Sequence, residues 1–519
     1  MQKLPIGIQN FEKLRRENYL YVDKTGKLLD LISRGEKYFL SRPRRFGKSL
    51  TLSTFESMFS GKHELFKGLA AEEWVKKQAA DPRPVIRLDM SGLRAYATAE
   101  ELNDALVKGL EDFAFLHDIQ IPSEKTGSGA LLKLILILYK KFGPVVVLID
   151  EYDKPILDNL NDLEKAEEMR KVLRSFYVVL KSCDEYLRFV FITGISKFSK
   201  MGVFSAMNNL FDISLSKDCA DIVGYTQSEL EDNFNEWINL AASKVNINSS
   251  ELLNKLRDYY DGFCFDGKTH LYNPFSILNF LAMGEFGNYW YVSGSSTFIV
   301  NYMKSHSISD PDIYRHFIVS ADFSDSYEIE RAKPESFLYQ SGYLTIEKWE
   351  GDQITLNYPN VEVYRSITRM YLEDIYRVER YITLGSELWK ALSSGDMPKA
   401  VELYNTALAG IPYEDFAKRD EYWYRSLLLM LLRGVGISAL GEIHSCKGRA
   451  DVLINFPKLS VVLEFKFAPK SSEVEKKMLE GEKQLEDREY TKSYNTEGRK
   501  VVAAVIVADD ERRQAVIKN

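Results

Sequence analysis

A glycine, a lysine and a serine stand between a short apolar stretch and a predicted helix, an arrangement typical of a phosphate-binding loop. The apolar stretch covers residues 37–40, and residues 41–49 read Ser-Arg-Pro-Arg-Arg-Phe-Gly-Lys-Ser. Backbone N–H groups ahead of a helix point at a bound anion, and the helix dipole adds positive potential. In such a loop Lys48 reaches the β- and γ-phosphates of a nucleotide, and the Ser49 hydroxyl holds Mg²⁺.

The loop departs from the general phosphate-loop pattern at one position. That pattern has a glycine five residues before Gly47, and here the residue is Arg42. Gly-Lys-Ser alone is also common in ordinary basic loops, so the interpretation needs further residues in support.

Two acids at the end of a later apolar strand supply that support. Residues 145–149 are Val-Val-Val-Leu-Ile, and Asp150 and Glu151 follow directly. In phosphate-loop ATPases the first such acid holds Mg²⁺, and the second orients or deprotonates the attacking water. A strand that ends in a solvated turn is the plainer interpretation. The order along the chain, phosphate loop first and acidic strand later, favours a nucleotide site.

Four apolar stretches in the first half each end in a polar residue. They cover residues 38–40, 85–88, 145–149 and 189–192, and they alternate with predicted helices such as 100–115 and 163–181. Continuous apolar strands separated by helices predict a parallel sheet covered on both faces, with ligands beyond the carboxyl ends of the strands. Thr193, which ends the fourth stretch, is predicted either to sense the γ-phosphate or to cap a helix.

The C-terminal part contains two carboxylates and a lysine on adjacent predicted strands. Residues 450–456 and 460–467 flank a turn at Pro457-Lys458, and symmetrical pairing about that turn places Asp451 opposite Glu464. Glu464 and Lys466 are two residues apart and share a face. Two facing carboxylates repel each other unless a cation lies between them, so the pattern predicts a Mg²⁺ site.

Such a metal polarises a phosphodiester and activates a bound water, and Lys466 can orient that water. The spacing resembles the PD-(D/E)xK nuclease superfamily, although Ala450 replaces the usual proline. The resemblance places a further metal-binding acid at Glu442 and a supporting glutamine at Gln484. An edge hairpin with scattered charges is the alternative interpretation.

Composition limits the classes of function. The 519 residues carry a net charge of −7, so nucleic-acid binding would have to use a local basic patch. The four cysteines are far apart, which predicts a reducing compartment and no structural zinc. The N-terminus lacks an apolar signal core, and no run of about 18 apolar residues predicts a membrane span. We therefore expect a cytoplasmic protein.

Between these two regions the pattern is mainly helical. From Gly224 to about Met283 it predicts a helical lid, which Thr226 and Glu229 begin with a capping box, and the periodicity breaks at residues 260–263. Residues 333–341 predict a helix, followed by a hairpin over residues 343–349 and 353–357. A helix followed by a hairpin resembles a winged-helix module. The acidic turn of this hairpin, with Glu350 and Asp352, argues against a wing that grips phosphate.

Several of these segments together resemble the AAA-ATPase-like family of bacterial proteins, whose members usually carry a C-terminal nuclease-like domain. The resemblance rests on the loop at residues 41–50 and on five further blocks, at residues 4–8 with 21–25, 149–155, 193–198, 272–276 and 340–345. Arg42 looks ordinary for this family. The resemblance implies ATP and Mg²⁺ as cofactors, and assembly with copies of the same chain, since such ATPases often form rings.

The predicted nucleotide-binding residues are Arg44, Arg45, Phe46, Gly47, Lys48, Ser49, Leu50, Asp150 and Thr193. For Arg44 and Arg45 three roles stay open: contact with phosphate, pairing with Asp150 or Asp153, or contact with a neighbouring subunit.

The predicted fold is α/β, and we divide the chain into five parts. They are a P-loop ATPase domain (1–223), a helical lid (224–332), a winged-helix-like hairpin (333–365), a helical connector (366–440) and a restriction-endonuclease-like domain (441–519). The predicted function is an ATPase coupled to a Mg²⁺-dependent nuclease that acts on DNA or RNA. The alternative is a non-cleaving ATPase switch or scaffold whose nuclease-like domain only binds a partner.

Overall fold

The structure is a computed structural model, and it divides into two compact units. It describes residues 1–160, 162–197, 210–292, 299–300, 303–304, 310–324, 333–411, 419–437, 439–445, 448–487 and 500–518. The first unit comprises Met1–Ile299 and His316–Val363, and the second comprises Val300–Arg315 and Tyr364–Asn519.

A five-stranded parallel sheet forms the centre of the first unit. Its strands are β1 (Lys37–Ser41), β2 (Val85–Asp89), β3 (Val145–Asp150), β4 (Leu187–Gly194) and β5 (Phe211–Asp212), in the order β2-β3-β4-β1-β5. Every residue of β3 is buried, as expected for a strand that is covered on both faces. The four predicted strands and their parallel arrangement are confirmed.

Helices alternate with these strands. They are Phe11–Arg16, Thr25–Arg34, Lys48–Phe59, Glu72–Gln78, Ala99–Leu116, Gly127–Phe142, Lys154–Leu157 and Leu163–Ser182, with short 3-10 helices at His63–Phe66, Met90–Gly92, Asp184–Tyr186 and Lys217–Cys219. The long helices begin at side chains that satisfy free backbone N–H groups, as Thr98, Thr126 and Asp162 do. The two predicted helices, 100–115 and 163–181, are confirmed within two residues at each end.

The region after Gly224 is helical but contains a small sheet that the sequence pattern did not predict. Its helices are Gln227–Lys244, Ser249–Tyr260, Pro274–Met283 and Tyr289–Val292, and the predicted capping box of Thr226 and Glu229 is present. Strands β6 (Phe263–Cys264) and β7 (His270–Leu271) pair where only a break was expected. Gly262 begins this hairpin with φ of +100°, and a Cβ there would lie 2.1 Å from the Pro359 carbonyl oxygen.

A helix and a three-stranded antiparallel sheet complete the first unit. The helix is Pro334–Ser341, and the strands are β8 (Phe317–Ser320), β9 (Thr345–Glu350) and β10 (Gln353–Asn357), in the order β8-β10-β9. The predicted helix and hairpin are present, and β8 adds a third strand. Its assignment as a winged-helix module stays a prediction.

The second unit combines helices with a mixed five-stranded sheet. The helices are a 3-10 helix at Pro311–Tyr314, then Val361–Met370 (whose first residues belong to the first unit), a π-helix at Tyr371–Ile375, Tyr381–Ser394, Met397–Ala409, Glu421–Gly434, a 3-10 helix at Ser471–Glu473, and Val474–Asp487. The strands are β11 (Ala439–Ser445), β12 (Gly448–Asn455), β13 (Leu459–Ala468), β14 (Lys500–Asp509) and β15 (Gln514–Ile517), paired in that order. Only β13 and β14 run parallel to each other.

Within the described ranges, no helix has both the length and the apolar composition that a bilayer crossing needs.

Candidate functional site

The predicted phosphate loop lies between β1 and the helix Lys48–Phe59, at the carboxyl edge of the parallel sheet. Gly47 caps the helix in the left-handed region with φ of +98°, and nothing lies within 4 Å of where its Cβ would be. Arg45 is also left-handed, with φ of +69°. These turns expose the start of the helix, which is the geometry that an anion site requires.

Lys48 is buried at the base of the loop. Its Nζ donates to the carbonyl oxygens of Arg42 at 2.8 Å and Pro43 at 3.0 Å. Burial lowers the pKa of Lys48, and the nearby carboxylates of Asp150 and Glu151 oppose that shift. The ammonium therefore rests on loop carbonyls, and an incoming phosphate can replace them as its partner.

A cavity of about 430 Å³ opens in front of this loop. Its lining includes polar and charged side chains of the loop and its surroundings: Lys24, Arg44, Arg45, Lys48, Ser49, Glu151 and Lys154. It also includes apolar side chains from the N-terminal segment, the stretch before the lid and the helix Pro274–Met283: Pro5, Ile8, Leu14, Tyr21, Val22, Ile222, Val223, Pro274, Phe275 and Leu278. The cavity thus combines cationic groups, which suit a polyanion, with apolar surface, which suits an aromatic ring.

Arg42, which replaces the glycine of the general pattern, points away from the cavity. Its guanidinium is buried and donates to the carbonyl oxygens of Ser214 at 2.6 Å and Ser41 at 2.9 Å. It also lies 4.0 Å from the centre of the Phe265 ring. Burial lowers the pKa of Arg42 to about 10. Arg42 therefore fastens the loop to its surroundings and leaves the cavity open.

Arg44, Arg45 and Phe46 have different surroundings. Arg44 lines the cavity, and the Arg45 guanidinium lies 4.7 Å from the centre of the Phe275 ring. The Phe46 ring is buried edge-on against Phe263, in the hairpin that the sequence did not predict. Their roles toward a nucleotide stay predictions.

Asp150 and Thr193 meet at the ends of neighbouring strands. The Thr193 hydroxyl donates to Asp150 Oδ1 at 2.7 Å, and both side chains are buried. Thr193 lies inside β4, so the alternative that it caps a helix is wrong. The hydroxyl hydrogen orients the Asp150 carboxylate, and Thr193 is not among the residues that line the cavity. Its predicted role as a phosphate sensor is untested.

Glu151 is the acid that faces the cavity. Its backbone is left-handed with φ of +49°, a strained conformation for a residue with a side chain. Burial raises the pKa of Glu151, an effect that Lys48 opposes. A carboxylate with a raised pKa beside a phosphate site is suited to accept a proton from water.

Sequence analysis missed the structural role of Asp153. Its Oδ2 accepts from the backbone N–H groups of Ile195 at 3.1 Å and Ser196 at 2.6 Å, and from the Ser196 hydroxyl. These contacts join the turn after β3 to the end of β4. The signal in the sequence was the position of Asp153, two residues after the acidic pair, and the structure adds that this side chain is buried.

In the second unit the predicted register of the C-terminal hairpin is confirmed. Val452 pairs with Leu463, and the next position in this register places Asp451 opposite Glu464. Lys466 Nζ donates to Glu464 Oε1 at 2.9 Å, and Asp451 Oδ2 accepts from the Phe465 N–H at 2.8 Å. The three predicted residues are therefore together.

Two residues on the helix Glu421–Gly434 belong to the same neighbourhood and were not predicted. Arg425 Nη1 lies 3.2 Å from Asp451 Oδ1, and both side chains are nearly buried. Burial raises the pKa of Glu421, an effect that Lys466 opposes and Asp451 reinforces. The sequence predicts this helix as part of a connector, because an acid and an arginine four residues apart are common on exposed helices and do not indicate a site.

The remaining predicted residues are only partly described. Glu442 lies in β11 between the paired positions Gly441 and Ile443, and its side chain is outside the described part of the structure. Gln484 is half-buried on the helix Val474–Asp487, which packs against β13 and β14. Among side chains that the structure does describe, no group of three or more His, Cys, Asp or Glu could hold a metal ion.

Comparison with known families matches both ends of the chain. Residues 5–204 match the family described as predicted AAA-ATPase, and residues 419–518 match the PD-(D/E)XK nuclease superfamily. The second match begins just before the helix Glu421–Gly434, so it includes Arg425 and the complete mixed sheet.

Comparison with individual proteins gives one relative of nearly full length. It is a protein of Azotobacter chroococcum mcd 1, described as an uncharacterized protein in the vnfD 5′ region, which is 33% identical over 517 residues, 96% of this chain and 94% of that protein. Among solved structures, the Aeropyrum pernix ORC1 protein in complex with DNA is similar over 67% of this chain and 92% of that chain, with 10% identity and a TM-score of 0.26. The chain belongs to the family of the Azotobacter protein, with an AAA-ATPase-like domain and a PD-(D/E)XK nuclease superfamily domain.

Proposed function

We propose that the first unit binds and hydrolyses ATP with Mg²⁺. The observation that carries this proposal is the cavity of about 430 Å³ whose lining contains Lys48, Ser49 and apolar side chains. Its volume is within the range of roughly 300–1,000 Å³ found for small-molecule sites. The cationic groups of the lining suit a triphosphate by charge, and its apolar side chains suit a base by burial.

Each residue of this site has a proposed task. Lys48 exchanges its carbonyl partners for phosphate oxygens, and the first N–H groups of the helix Lys48–Phe59 donate to the same anion. Ser49 and Asp150 would hold Mg²⁺, which neutralises charge on the phosphates when bound. Thr193 keeps the Asp150 carboxylate in one orientation. Glu151 accepts the proton of the attacking water.

We further propose that the C-terminal domain cleaves phosphodiester bonds of nucleic acid. Asp451 and Glu464 would hold Mg²⁺, with Glu442 and Glu421 as candidates for a further acid. The metal would polarise the phosphate and activate water. Lys466, which contacts Glu464 at 2.9 Å, is placed to orient that water. Gln484 is retained as a supporting residue on the adjacent helix.

A second function is favoured by one observation. Both carboxylate oxygens of Asp451 already accept protein donors, Arg425 and the Phe465 N–H. A domain that only binds a partner can keep these contacts permanently. In that case the chain is an ATP-dependent switch or scaffold that does not cleave.

The nucleotide site is tested by the variant Lys48→Ala. Loss of a charge-assisted contact to phosphate costs about 2 kcal/mol, so ATP affinity should fall about 30-fold or more in a calorimetric titration. Lys67→Ala is the matched control, because Lys67 is exposed and does not line the cavity. Unchanged affinity in Lys48→Ala would mean that the loop does not bind phosphate.

The choice between cleavage and binding is tested directly with nucleic acid. The full chain is incubated with labelled single- and double-stranded DNA and RNA, with Mg²⁺ or Mn²⁺, and with and without ATP. Cleavage by the wild type that Glu464→Gln abolishes supports a nuclease. Absence of any metal-dependent nicking under all of these conditions would favour the non-cleaving alternative.

A further inference from the structure

Arg425 differs from the other charged groups at the candidate metal site, because its guanidinium contacts Asp451, a carboxylate that is predicted to bind the metal. Arg425 Nη1 lies 3.2 Å from Asp451 Oδ1, and their side chains are 6% and 11% exposed. The second oxygen of Asp451 accepts the Phe465 N–H at 2.8 Å. A cation that binds Asp451 must therefore compete with a buried guanidinium.

The charges around the site make this competition strong. The described acids are Asp451, Glu464 and Glu421, and Arg425 and Lys466 contact two of them directly. These two cations offset part of the acidic charge before any metal arrives, and Lys477, which also acts on Glu421, adds positive potential. Charges interact strongly where water is largely excluded, so an extra positive charge in contact with a ligand opposes a divalent cation.

Contacts of two other residues, Ser426 and Arg433, hold the helix that carries Arg425 in place. The Ser426 hydroxyl donates to Asp310 Oδ2, and Arg433 Nη1 donates to Asp312 Oδ2. Ser426 and Asp310 are both buried. Because these contacts fix the helix, withdrawal of Arg425 from Asp451 requires rotation of its own side chain and leaves the helix where it is.

We propose that Arg425 is an internal counter-ion of the metal site, which occupies Asp451 in the metal-free protein and must be displaced before a divalent cation can bind there. This inference rests on the proposed function of Asp451 as a metal ligand. It assigns Arg425 a regulatory task, because it weakens metal binding until the guanidinium finds another anion. The phosphodiester of a substrate is an anion of the required kind, and arginine binds phosphate readily.

The test measures metal affinity and needs no turnover. Mn²⁺ is titrated into the full-length wild type, Arg425→Gln, Arg425→Met and Arg425→Lys without nucleotide, and free Mn²⁺ is followed by electron paramagnetic resonance. Asp451→Asn identifies the binding that depends on Asp451. Circular dichroism and thermal unfolding show which variants are folded. If the methionine variant does not fold, the comparison uses the glutamine variant.

We expect the neutral variants to bind Mn²⁺ about tenfold more tightly than the wild type, a size typical of groups that contact a metal ligand. Arg425→Lys keeps the positive charge and should stay close to the wild type. Asp451-dependent binding that appears only in the neutral variants would also support the proposal.

Two results would overturn the role of Arg425 alone. Equal affinity in the glutamine variant and the wild type would mean that Arg425 does not compete, and weaker binding would mean that Arg425 positions Asp451 for the metal. In both cases the proposed metal site itself survives. Absence of Asp451-dependent binding in every protein, neutral variants included, would instead remove the metal site and this inference with it.

Discussion

Lys48 and Glu151 both line the cavity, and burial shifts the pKa of each in the direction that favours its neutral form. The pKa of Lys48 is lowered and that of Glu151 is raised. Each charge partly restores the ionised state of the other, so the two residues depend on one another. Glu151 can therefore act as a proton acceptor with a raised pKa, and its effect on hydrolysis should depend on pH.

We predict that ATP hydrolysis loses rate as the pH falls through the raised pKa of Glu151. A general base must be deprotonated, and burial raises the pKa of Glu151 above its ordinary value of 4.5, so the proton stays on Glu151 to a higher pH. Glu151→Gln cannot accept a proton and should lower the hydrolysis rate about 100-fold or more while ATP still binds. The measurement is initial phosphate release against pH, together with nucleotide affinity.

Glu164→Gln provides the matched control, because Glu164 is exposed on the helix Leu163–Ser182 and distant from the cavity lining. It should keep both the rate and its pH dependence. If Glu151→Gln hydrolyses ATP at the wild-type rate, another group activates the water.

At the scale of elements, Arg42 joins the phosphate loop to the segment that follows β5. The guanidinium bonds to the Ser214 carbonyl, and its remaining weaker contacts reach the carbonyls of Cys219 and Ala220 at 3.4 Å. These carbonyls are buried with the arginine, and an unpaired buried acceptor costs free energy. Glycine would match the general phosphate-loop pattern and would remove every one of these contacts.

We therefore predict that Arg42→Gly lowers the free energy of unfolding by about 3 kcal/mol, the size expected for loss of a buried charged donor. Urea denaturation measures this change. Arg42→Lys keeps the positive charge but lacks the several N–H donors of the guanidinium, so its free energy of unfolding should lie between those of the wild type and Arg42→Gly. Arg34→Ala, which removes an exposed arginine, should change the stability little. A fully stable Arg42→Gly would show that the loop needs no such fastening.

Glu362 connects two other elements and predicts a pH effect on stability. It lies in the first turn of the helix Val361–Met370, and its Oε1 accepts the Trp290 N–H at 2.9 Å. Burial raises the pKa of Glu362 from 4.5 to about 7. In the unfolded chain the carboxyl ionises near its ordinary value, so this group favours the folded state at low pH and loses that contribution as the pH rises from about 4.5 to about 7.

Glu362→Gln should remove this dependence and leave the protein up to about 3 kcal/mol more stable than the wild type at pH 8, following from about 1.4 kcal/mol for each pKa unit. The free energy of unfolding is measured at pH 5 and pH 8 for both proteins, and the difference between the two pH values should shrink in the variant. An unchanged difference would mean that Glu362 ionises freely in the folded protein.

At the scale of the whole molecule, the two candidate sites share no residue. The nucleotide site uses residues from Pro5 to Leu278, all in the first unit, and the Asp451 site lies entirely in the second. We predict that Lys466→Ala removes metal-dependent cleavage and keeps ATP turnover, since Lys466 contacts Glu464 and has no part in the cavity.

The measurement compares ATP hydrolysis and nucleic-acid cleavage in Lys466→Ala and Lys48→Ala side by side. If Lys48→Ala also abolishes cleavage, ATP binding controls the second unit. If Lys466→Ala abolishes ATP turnover, the sites are not separable in the way we expect.

The limits of the five parts predicted from the sequence stay predictions. The structure has two compact units with other boundaries, and the superfamily match begins at residue 419.

The sequence alone determined the features of this protein that depend on residues close together in the chain. Apolar runs that end in Ser41, Asp150 and Thr193 predicted the parallel strands, because short continuous apolar runs that alternate with longer helical segments are typical of a covered parallel sheet. A short turn at Pro457-Lys458 likewise fixed the register that brings Asp451 opposite Glu464, since pairing propagates from the turn.

Only the tertiary structure decided which distant side chains meet. Arg42 looked like a phosphate-loop residue from its position, but it bonds to a carbonyl more than 170 residues away and faces away from the cavity. Arg425 looked like part of a connecting helix, and packing against the sheet brought it to Asp451. Such contacts have no sequence signal, because nothing in local spacing encodes which remote group will satisfy a buried charge.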